Sequence, residues 1–561
     1  MKRASITGEK LEAYQSKGYW KGLTLDMCRE YESEGYWPGV TLHDFFYDSV
    51  NKFPERDFII HSERRVTYRE AEEVITKLAA GFIEMGIRKG DIVCALLHNC
   101  PEMAFLQIAL SQIGAVIQPI HLVYREHEIK KRIEFCDAKA IVIPQEIKEF
   151  NYVDMIMGME KDLPLSHILV VGEDGEAGGK VRSFEDAWRN VTSIRSVEQY
   201  LDHTQVDAND ILLLNFTSGT ETDPKGFLHT HNTLLGNLHT AAFDISGFVP
   251  GEEVLLSFSP MTHSFGHAIT YIASMCGATI VMVDTYNPGK TLELVQKEKI
   301  SFLQGTPTHF LRFLEHPDFK QYNLDSLRIL ATGGAAIPPA LTQRLRKETG
   351  AQLTVWFGMG EDGIHTVIRP GEKEEMYLET VGSPVPGEEL AIFGDDGAQL
   401  EQGKIGEIGN RGAAMFLGYF KNPEMTNATR NHEGWFLTGD TGFVGEDGYL
   451  RLYGRKKDLI NRGGSKIFPL TIENVLCFHP KIQSVAVVGV PDPELGERVC
   501  ACIIPAEGQT ITVEDVLEYM EGKGYGRYET PERVVLMKQF PMTPTGKVKK
   551  DFLQKEVMEK G

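Results

Sequence analysis

The sequence predicts an α/β protein, because short apolar segments typical of buried strands alternate with amphipathic helical segments along the chain. Residues 68–86 carry apolar side chains at spacings of three and four and end on glycine, which indicates an amphipathic helix. Six apolar runs flanked by turn residues are interpreted as buried strands: DIVCALLH, GAVIQPI, KAIVIP, HILVVG, ILLLNF and GATIVMV.

The chain has 561 residues, enough for three or four structural units and a large core. The segment RLYGRKKDLINRGG is charged and rich in glycine, and it follows a strand-like run, so we interpret it as a junction. We therefore expect an N-terminal domain over residues 1–453 and a smaller C-terminal domain over residues 454–561.

The composition argues against several classes of protein. There are 58 basic and 79 acidic residues, and the resulting net charge of -21 disfavours nucleic acid as a partner. No run of about 18 apolar residues could form a membrane span, and the N-terminus lacks the apolar region of a secretory signal. The eight cysteines form no CxxC pair, so we expect a reduced, cytoplasmic protein.

The strongest single pattern is the run Thr217–Gly226, which follows the apolar strand ILLLNF. It is dense in hydroxyls and small residues and contains one lysine, Lys225. Such a loop can offer backbone N–H groups, hydroxyls and an ammonium to a polyphosphate. The alternative is a mobile surface turn. The spacing of a Walker A loop is absent.

Two further patterns do not carry the function that they suggest. Glycines at 358, 360 and 363 match G-x-G-x-x-G, but the β-branched run IHTVIRPG follows where a dinucleotide-binding fold needs a helix. His263 and His267 lie four residues apart, yet no carboxylate completes a zinc motif there and a glycine interrupts the segment. We reject both the dinucleotide site and the metal pair.

Six motifs, in order between about residues 40 and 550, resemble those of the adenylate-forming superfamily of acyl- and aryl-CoA ligases, luciferases and stand-alone adenylation domains. They are TSGTETDPKG, ATGGAAIP, WFGMGED, GWFLTGD, GRKKDLINRGGSKIFPLTIENVL and PMTPTGK. The resemblance implies a large N-terminal domain of mixed sheets flanked by helices, a β-barrel-like subdomain, and a small mobile α+β C-terminal domain.

The resemblance also implies an ATP site with Mg²⁺. Asp440 would accept hydrogen bonds from the ribose hydroxyls with Arg455 in support, although an ordinary turn and a solvated surface charge are the alternatives. Glu361, with Thr220, would hold the metal. The β- and γ-phosphates would be cradled by Thr217, Ser218, Gly219, Thr220 and Lys225. The residues expected around the rest of the nucleotide are Gly333, Gly334, Ala335, Trp356, Phe357, Gly358 and Met359.

Lys547 is the implied catalytic lysine, with Glu361 and His263 completing the catalytic set. Attack of a carboxylate on the α-phosphate brings two anions together, and a positioned ammonium stabilises the crowded charge. The alternative for Lys547 is a basic tail, since KVKK begins there. Rotation of the C-terminal domain about a hinge at Lys457 would then admit a thiol.

Coenzyme A is the implied thiol. The residues expected near its pantetheine arm are Gly463, Gly464, Ser465 and Lys466, and a simple strand-joining turn is the competing interpretation of this segment. The expected acyl pocket is lined by His263, Ser264, Phe265, Thr306, Gly333, Phe357 and Met359.

The motifs PMTHSF, FGMGED, INRGGSKI and LGERVC are most similar to those of aryl-acid activating enzymes, whereas QGTPT and KIFP are more similar to those of acyl-CoA ligases. We therefore expect an aromatic or alicyclic acid first and a medium-chain fatty acid second.

The chain departs from the family pattern at several positions. Glu221 and Thr222 replace the usual Thr-Gly of the phosphate loop, Gly360 replaces the frequent threonine before the metal glutamate, and Phe357 replaces the common tyrosine. These departures motivate one alternative, a binding protein that has lost catalysis.

The leading hypothesis is an AMP-forming acid–CoA ligase, acting on a small-molecule carboxylic acid, ATP and CoA as a monomer or homodimer. A second alternative is a stand-alone adenylating enzyme that loads the phosphopantetheine arm of a carrier protein.

Overall fold

The computed structural model describes residues 4–172, 180–216, 225–542 and 547–559. In chain order the strands are β1 Asp57–His61, β2 Arg64–Thr67, β3 Ile92–Ala95, β4 Val116–Pro119, β5 Ala140–Pro144, β6 Glu146–Ile147, β7 Phe150–Asn151, β8 His167–Val171, β9 Val181–Ser183, β10 Ile211–Phe216, β11 Gly226–Thr230, β12 Val254–Ser257, β13 Thr279–Met282, β14 Phe302–Gly305, β15 Ile329–Gly333, β16 Gln352–Met359, β17 Gly363–Ile368, β18 Ser383–Pro384, β19 Glu388–Phe393, β20 Gly406–Gly412, β21 Gly418–Tyr419, β22 Phe436–Val444, β23 Leu450–Arg455, β24 Ile460–Arg462, β25 Ser465–Ile467, β26 Ile482–Asp492, β27 Gly496–Pro505 and β28 Arg533–Leu536.

The α-helices have apolar faces that pack on these strands. They are α1 Gly8–Gln15, α2 Leu25–Ser33, α3 Leu42–Lys52, α4 Tyr68–Glu84, α5 Pro101–Ile113, α6 Glu126–Cys136, α7 Tyr152–Met159, α8 Asp186–Arg189, α9 Arg195–His203, α10 His231–His239, α11 Ser264–Cys276, α12 Pro288–Glu298, α13 Pro307–Leu314, α14 Pro339–Thr349, α15 Glu374–Glu379, α16 Pro423–Ala428, α17 Pro469–Leu476, α18 Val513–Gly522 and α19 Lys550–Glu559.

Two large mixed sheets form the body of the molecule. In the first, the strand order is β18-β17-β16-β15-β14-β12-β13-β1-β2, and the strands from β16 to β1 are parallel. In the second, the order is β21-β11-β10-β4-β3-β5-β8-β9, with antiparallel strands at the β21 edge. Helices α3, α4, α5 and α11 contribute to the apolar core shared by both sheets. The predicted fold class is confirmed.

Two smaller sheets follow in the chain. The four-stranded antiparallel sheet β19-β20-β22-β23 occupies the position of the predicted barrel-like subdomain. The last sheet, β25-β24-β27-β26 with β28 beside β27, has its own cores, one shared with α17 and α18 and another with α19. This arrangement gives the C-terminal segment the α+β character expected from the sequence.

The individual elements predicted from the sequence are present. The periodic segment forms α4, whose N-terminus is closed by a capping box between Thr67 and Glu70. The six apolar runs contain β3, β4, β5, β8, β10 and β13. Within the described part of the chain, no helix combines the length and the apolar character that crossing a bilayer requires.

The N-terminal segment 4–40 packs across the junction between the second large sheet and the four-stranded sheet. The indole Nε1 of Trp37 donates to the carbonyl of Ala413 at 2.8 Å, and the backbone N–H of Trp20 donates to the carbonyl of Leu417 at 2.6 Å. The two indole rings stack with centroids 5.6 Å apart. These contacts fix the backbone that leads into β21.

Buried histidines are part of the framework that joins these layers. His231, at the start of α10, is 1% exposed, and its Nδ1 accepts the backbone N–H of Leu42 at the start of α3 at 3.0 Å. Burial lowers the pKa of His231 to about 4. The side chain is therefore a neutral acceptor that links two helices.

We predict that the free energy of unfolding falls as the pH decreases from about 6.5 to about 4, partly through His231. In this window the unfolded chain binds a proton that the folded histidine refuses, so stability is present above the unfolded pKa and is lost below it. His231→Asn keeps an acceptor but cannot titrate, and should remove roughly 1–3 kcal/mol of this pH dependence.

Urea denaturation at pH 7 and pH 4.5 measures the effect. The matched control is His432→Asn, since the His432 side chain is 80% exposed. An identical pH dependence in wild type and His231→Asn would show that His231 is not a source of the acid sensitivity.

Candidate active site

The turn Gly360–Asp362 connects the antiparallel strands β16 and β17. Met359 and Gly363 face each other across the hairpin, and Gly363 has φ of +67°, a value that favours glycine. The carboxylate of Asp362 accepts the backbone N–H of Met359 at 2.8 Å. This hydrogen bond closes the turn, which places Glu361 beyond the ends of β16 and β17.

Glu361 is buried and is held by the segment around β21. Its Oε1 accepts the hydroxyl of Tyr419 at 3.0 Å, and its carbonyl accepts the backbone N–H of Phe416 at 2.8 Å. Burial raises the pKa of Glu361, whereas the Tyr419 hydrogen bond and the nearby charges of Arg455 and Lys547 oppose that rise. A buried carboxylate of this kind favours a cation as its neighbour.

Asp440 and Arg455 are cross-strand partners on β22 and β23. The guanidinium Nε lies 2.9 Å from the Asp440 carboxylate, whose side chain is mostly buried while that of Arg455 is half exposed. Burial raises the pKa of Asp440, and the charges of Arg455 and Lys547 counteract this effect. The hairpin thus presents a carboxylate and a guanidinium as one unit.

Lys547 reaches this unit from the far end of the chain. It is partly buried, and burial together with the charge of Arg455 lowers its pKa, while Asp440 and Glu361 act in the opposite direction. Its charge also lowers the pKa of His263. The structure therefore brings Lys547 together with Glu361, Asp440 and Arg455.

Two carboxylates and two cations, from three separate parts of the sequence, meet beside the ends of β16 and β23 and the middle of β22. Such a cluster can bind a polar, negatively charged ligand through its cations and a metal-bound or hydroxyl-bearing group through its carboxylates. It can also stabilise negative charge that accumulates during a group transfer.

The predicted phosphate loop lies mainly outside the described residues. This applies to Thr217, Ser218, Gly219 and Thr220, and to the two departures, Glu221 and Thr222. Its flanks are described: Phe216 and Gly226 face each other at the ends of β10 and β11, and Lys225 immediately precedes β11.

The predicted nucleotide glycines lie at the end of β15. Gly333 pairs with Trp356, and an added Cβ at 333 would lie 2.5 Å from the Trp356 carbonyl, so only glycine fits. Gly334 has φ of +76° and, like Ala335, is partly exposed. The residues Trp356, Phe357, Gly358 and Met359 lie at the end of the neighbouring strand β16, which leads into the Glu361 turn.

His263 caps the N-terminus of α11, where its Nδ1 accepts the backbone N–H of Phe265 at 3.2 Å. Its ring stacks on His121 with centroids 6.1 Å apart, and burial lowers the pKa of His263 well below its ordinary value. The ring of Phe265 meets Trp356 edge to face at 5.8 Å. A neutral imidazole and two aromatic rings therefore lie beside the end of β16.

The remaining predicted pocket residues occupy the same rim of the first sheet. Thr306, buried at the start of α13, contacts the ring of His309 through its hydroxyl at 3.0 Å. Ser264 begins α11 and is partly exposed. Neither contacts the four-charge cluster through a described hydrogen bond.

The predicted CoA residues form an exposed hairpin turn. Gly463 and Gly464 have φ of +56° and +89°, which suits a two-residue turn between β24 and β25. The ammonium of Lys466, at the end of this hairpin, lies 3.2 Å from Asp395 on the four-stranded sheet, and Ser465 is exposed. No described contact joins the hairpin to Glu361, Asp440 or Lys547.

The predicted hinge residue, Lys457, is exposed, and its ammonium lies 3.6 Å from the carboxylate of Asp551 on α19. The preceding Lys456 bridges Asp395 and Glu407 of the four-stranded sheet at 3.2 and 2.9 Å. Exposed pairs of this kind contribute little to stability, about 0–1 kcal/mol each.

The donors near Glu361 fit a magnesium ion that comes with its ligand. Among the residues that the structure describes, no group of three or more His, Cys, Asp or Glu side chains could hold a metal by itself. Mg²⁺ typically binds one or two carboxylates and takes its other ligands from phosphates and water. Glu361 alone supplies a suitable carboxylate, while Thr220 lies outside the described residues.

Sequence reasoning missed Tyr419 and His121. Tyr419 lies in GYF, a segment without a distinctive pattern, and it reaches Glu361 only because β21 pairs with β11. His121 follows β4 and meets His263 across more than 140 residues of sequence, with its Nδ1 2.8 Å from the hydroxyl of Thr262. No local signal in the sequence marks either contact.

A comparison with family models decides the family. Residues 46–420 match the model of the AMP-binding enzymes, and residues 471–547 match the model of their C-terminal domain. The chain belongs to the AMP-binding enzyme family.

Full-length relatives of this AMP-binding enzyme agree with that assignment. It is 29% identical over 538 residues to the human mitochondrial medium-chain acyl-CoA ligase ACSF2, covering 91% of this chain and 86% of the relative. It is 28% identical over 524 residues to the medium-chain fatty-acid–CoA ligase of Escherichia coli, covering 92% and 91%.

Among solved structures, ATP-bound MatB from Rhodopseudomonas palustris is similar with a TM-score of 0.81 and 25% identity, covering 92% of this chain and 99% of MatB. The predicted adenylate-forming superfamily and the predicted class of enzyme, an acid–thiol ligase, are confirmed.

We predict that Asp440→Ala weakens the binding of AMP to this AMP-binding enzyme at least tenfold, because it removes a buried acceptor for hydroxyl groups. Titration calorimetry with AMP measures the change. Asp447→Ala is the matched control, since Asp447 pairs with Arg451 at 2.8 Å within the same hairpin. Equal affinities for wild type and Asp440→Ala would remove Asp440 from the nucleotide site.

Proposed function

We propose that this enzyme activates a carboxylic acid with ATP and Mg²⁺ and then transfers the acyl group to the thiol of CoA. The observation that carries the proposal is the position of Lys547, whose ammonium acts on the pKa values of Glu361 and Asp440 although it lies more than 100 residues from either. A C-terminal lysine beside two buried carboxylates suits adenylation.

In the first step, a carboxylate oxygen attacks the α-phosphorus of ATP. The bond from that phosphorus to the bridging oxygen breaks, and pyrophosphate leaves. Lys547 stabilises the negative charge that crowds around the α-phosphate, and Asp440 orients the ribose. Glu361 would hold Mg²⁺, which would supply neutralising charge to the phosphates when bound. Lys225 and the phosphate loop with Thr217, Ser218, Gly219 and Thr220 bind the departing phosphates.

In the second step, the CoA sulfur attacks the acyl carbonyl carbon, the bond to the AMP oxygen breaks, and the thiol proton is lost to solvent or a base. We infer that the domain over residues 454–561 rotates about Lys457 beforehand. Lys466 of the exposed hairpin forms a surface ion pair with Asp395, at 3.2 Å, and pairs of this kind are weak enough to exchange.

The acid is proposed to be apolar, either medium-chain or cyclic. His263, Phe265 and Trp356 provide a neutral imidazole and two aromatic rings at the expected acyl site, which suits an apolar acyl group better than a second carboxylate. The names of the medium-chain relatives support a chain of intermediate length.

An acid panel with ATP, Mg²⁺ and CoA tests the function. Octanoate, cyclohexanecarboxylate or benzoate should give acyl-CoA and AMP, whereas the dicarboxylate malonate should react at least a hundredfold more slowly. ATP–pyrophosphate exchange without thioester formation would favour a carrier protein as the acceptor. Absence of exchange with every acid would favour a binding protein without catalysis.

We predict that Lys547→Ala lowers the rate of adenylation by at least a hundredfold, whereas thioester formation from supplied acyl-adenylate falls less than threefold. The reason is that only the first step accumulates charge at the α-phosphate. Stopped-flow assays of each half-reaction measure the two rates. Lys549→Ala serves as the control for loss of a nearby positive charge, and equal losses in both half-reactions would contradict the separate roles.

A further inference from the structure

Gly360, which immediately precedes Glu361, has its side-chain space filled by another residue. A Cβ added at 360 would lie 2.4 Å from Cζ and 2.6 Å from Cε1 of Phe227. Carbon atoms in contact are normally about 3.5–4.0 Å apart, so no larger residue fits while the ring stays in place. The departure from the family pattern at 360 therefore has a physical partner, the ring of Phe227.

The Phe227 ring has little freedom to move away. It is 2% exposed and belongs to an apolar cluster with Met415, Phe416, Tyr419 and Phe436. Its edge-to-face contact with His229, at 5.8 Å and 83°, fixes the ring plane as well. The close approach at Gly360 is a consequence of this packing.

Gly360 is held on its other side by His229. The ring Nε2 lies 2.7 Å from the Gly360 carbonyl, and the ring Nδ1 lies 3.0 Å from the hydroxyl of Thr233. Because a carbonyl only accepts, the hydrogen-bond network assigns the proton to Nε2. One strand, β11, thus contacts the Gly360 backbone through both Phe227 and His229.

The same strand connects the two ends of the proposed polyphosphate site. Lys225 and the predicted phosphate loop directly precede β11, and Phe227 is the second residue of that strand. Phe227 also pairs with Tyr419, whose hydroxyl donates to Glu361. The distance between Lys225 and Glu361 therefore depends on how closely Phe227 approaches the 360–362 turn.

We propose that Phe227 is a positioning residue for the Mg²⁺–triphosphate, which takes the place of a side chain at 360 and sets the spacing between β11 and Glu361. The inference rests on the proposed function, since it assigns the spacing to ATP. A change of side-chain volume at 227 or at 360 alone should therefore weaken Mg·ATP binding. Opposite volume changes at both positions should compensate each other.

A double-mutant cycle tests this pairing. Gly360→Thr forces the turn away from β11, and Phe227→Val leaves a void beneath it, so each single variant should raise the Kd for Mg·ATP at least tenfold. The double variant Phe227→Val/Gly360→Thr restores the lost volume and should recover affinity to within about threefold of wild type. Calorimetric titration of Mg·ATP measures all four proteins without any acid substrate.

Phe436→Leu is the matched control for loss of core packing, because Phe436 belongs to the same cluster and packs on Phe416, with centroids 5.5 Å apart. It should lower the Tm while leaving the Kd for Mg·ATP unchanged. If Gly360→Thr fails to fold, Gly360→Ala with Phe227→Leu provides a milder cycle.

A double variant whose affinity loss equals the product of the two single losses would overturn the proposal. Single variants that lower the Tm but keep wild-type affinity would also overturn it, because the contact would then be purely structural. Failure of the proposed function looks different, since wild type itself would neither bind Mg·ATP nor exchange pyrophosphate with any acid.

Discussion

The burial of two carboxylates beside two cations is the constraint on which the rest of the structure depends. Glu361 and Asp440 are buried, and a buried carboxylate is costly to remove from water unless positive charge lies near it. The β22–β23 pairing places Arg455 against Asp440, and the β16–β17 turn adds Glu361. Lys547 supplies the second cation only if the last sheet lies against this site. The order of the sheets and the position of the C-terminus are therefore coupled through electrostatics.

Local patterns predicted much of this architecture. The apolar runs that form β3, β5 and β10 are buried on both faces, and this type of strand is recognisable without knowing its neighbours. β-Branched residues follow the G-x-G-x-x-G at 358–363, and they form β17 where a dinucleotide-binding fold needs a helix. Here sequence and structure agree since the decisive information lies within ten residues.

Contacts between distant segments could not be predicted in this way. Tyr419 supports Glu361 because a two-residue strand, β21, pairs with β11 almost 200 residues earlier. Phe227 fills the space at Gly360 although 133 residues separate the two in sequence. In the sequence, Gly360 is notable because it lacks the hydroxyl of the threonine that is frequent at this position. In the structure, it is also the residue that the ring of Phe227 approaches closely. The roles proposed for Gly463 and Gly464 in binding CoA stay predictions, because the hairpin turn alone explains their positive φ angles.

The N-terminal segment 4–40 also supports the active site. Trp37 and Trp20 hold the carbonyls of residues 413 and 417, and this backbone continues directly into β21, which carries Tyr419. Both tryptophans lie before residue 46, where the match to the family model begins. A hydrogen bond to a carboxylate is geometrically demanding, so the position of Glu361 depends on the whole path from these two residues to the Tyr419 hydroxyl. The N-terminal segment is distant in sequence from the proposed nucleotide-binding residues. It nevertheless helps to position Glu361, the carboxylate proposed to hold Mg²⁺.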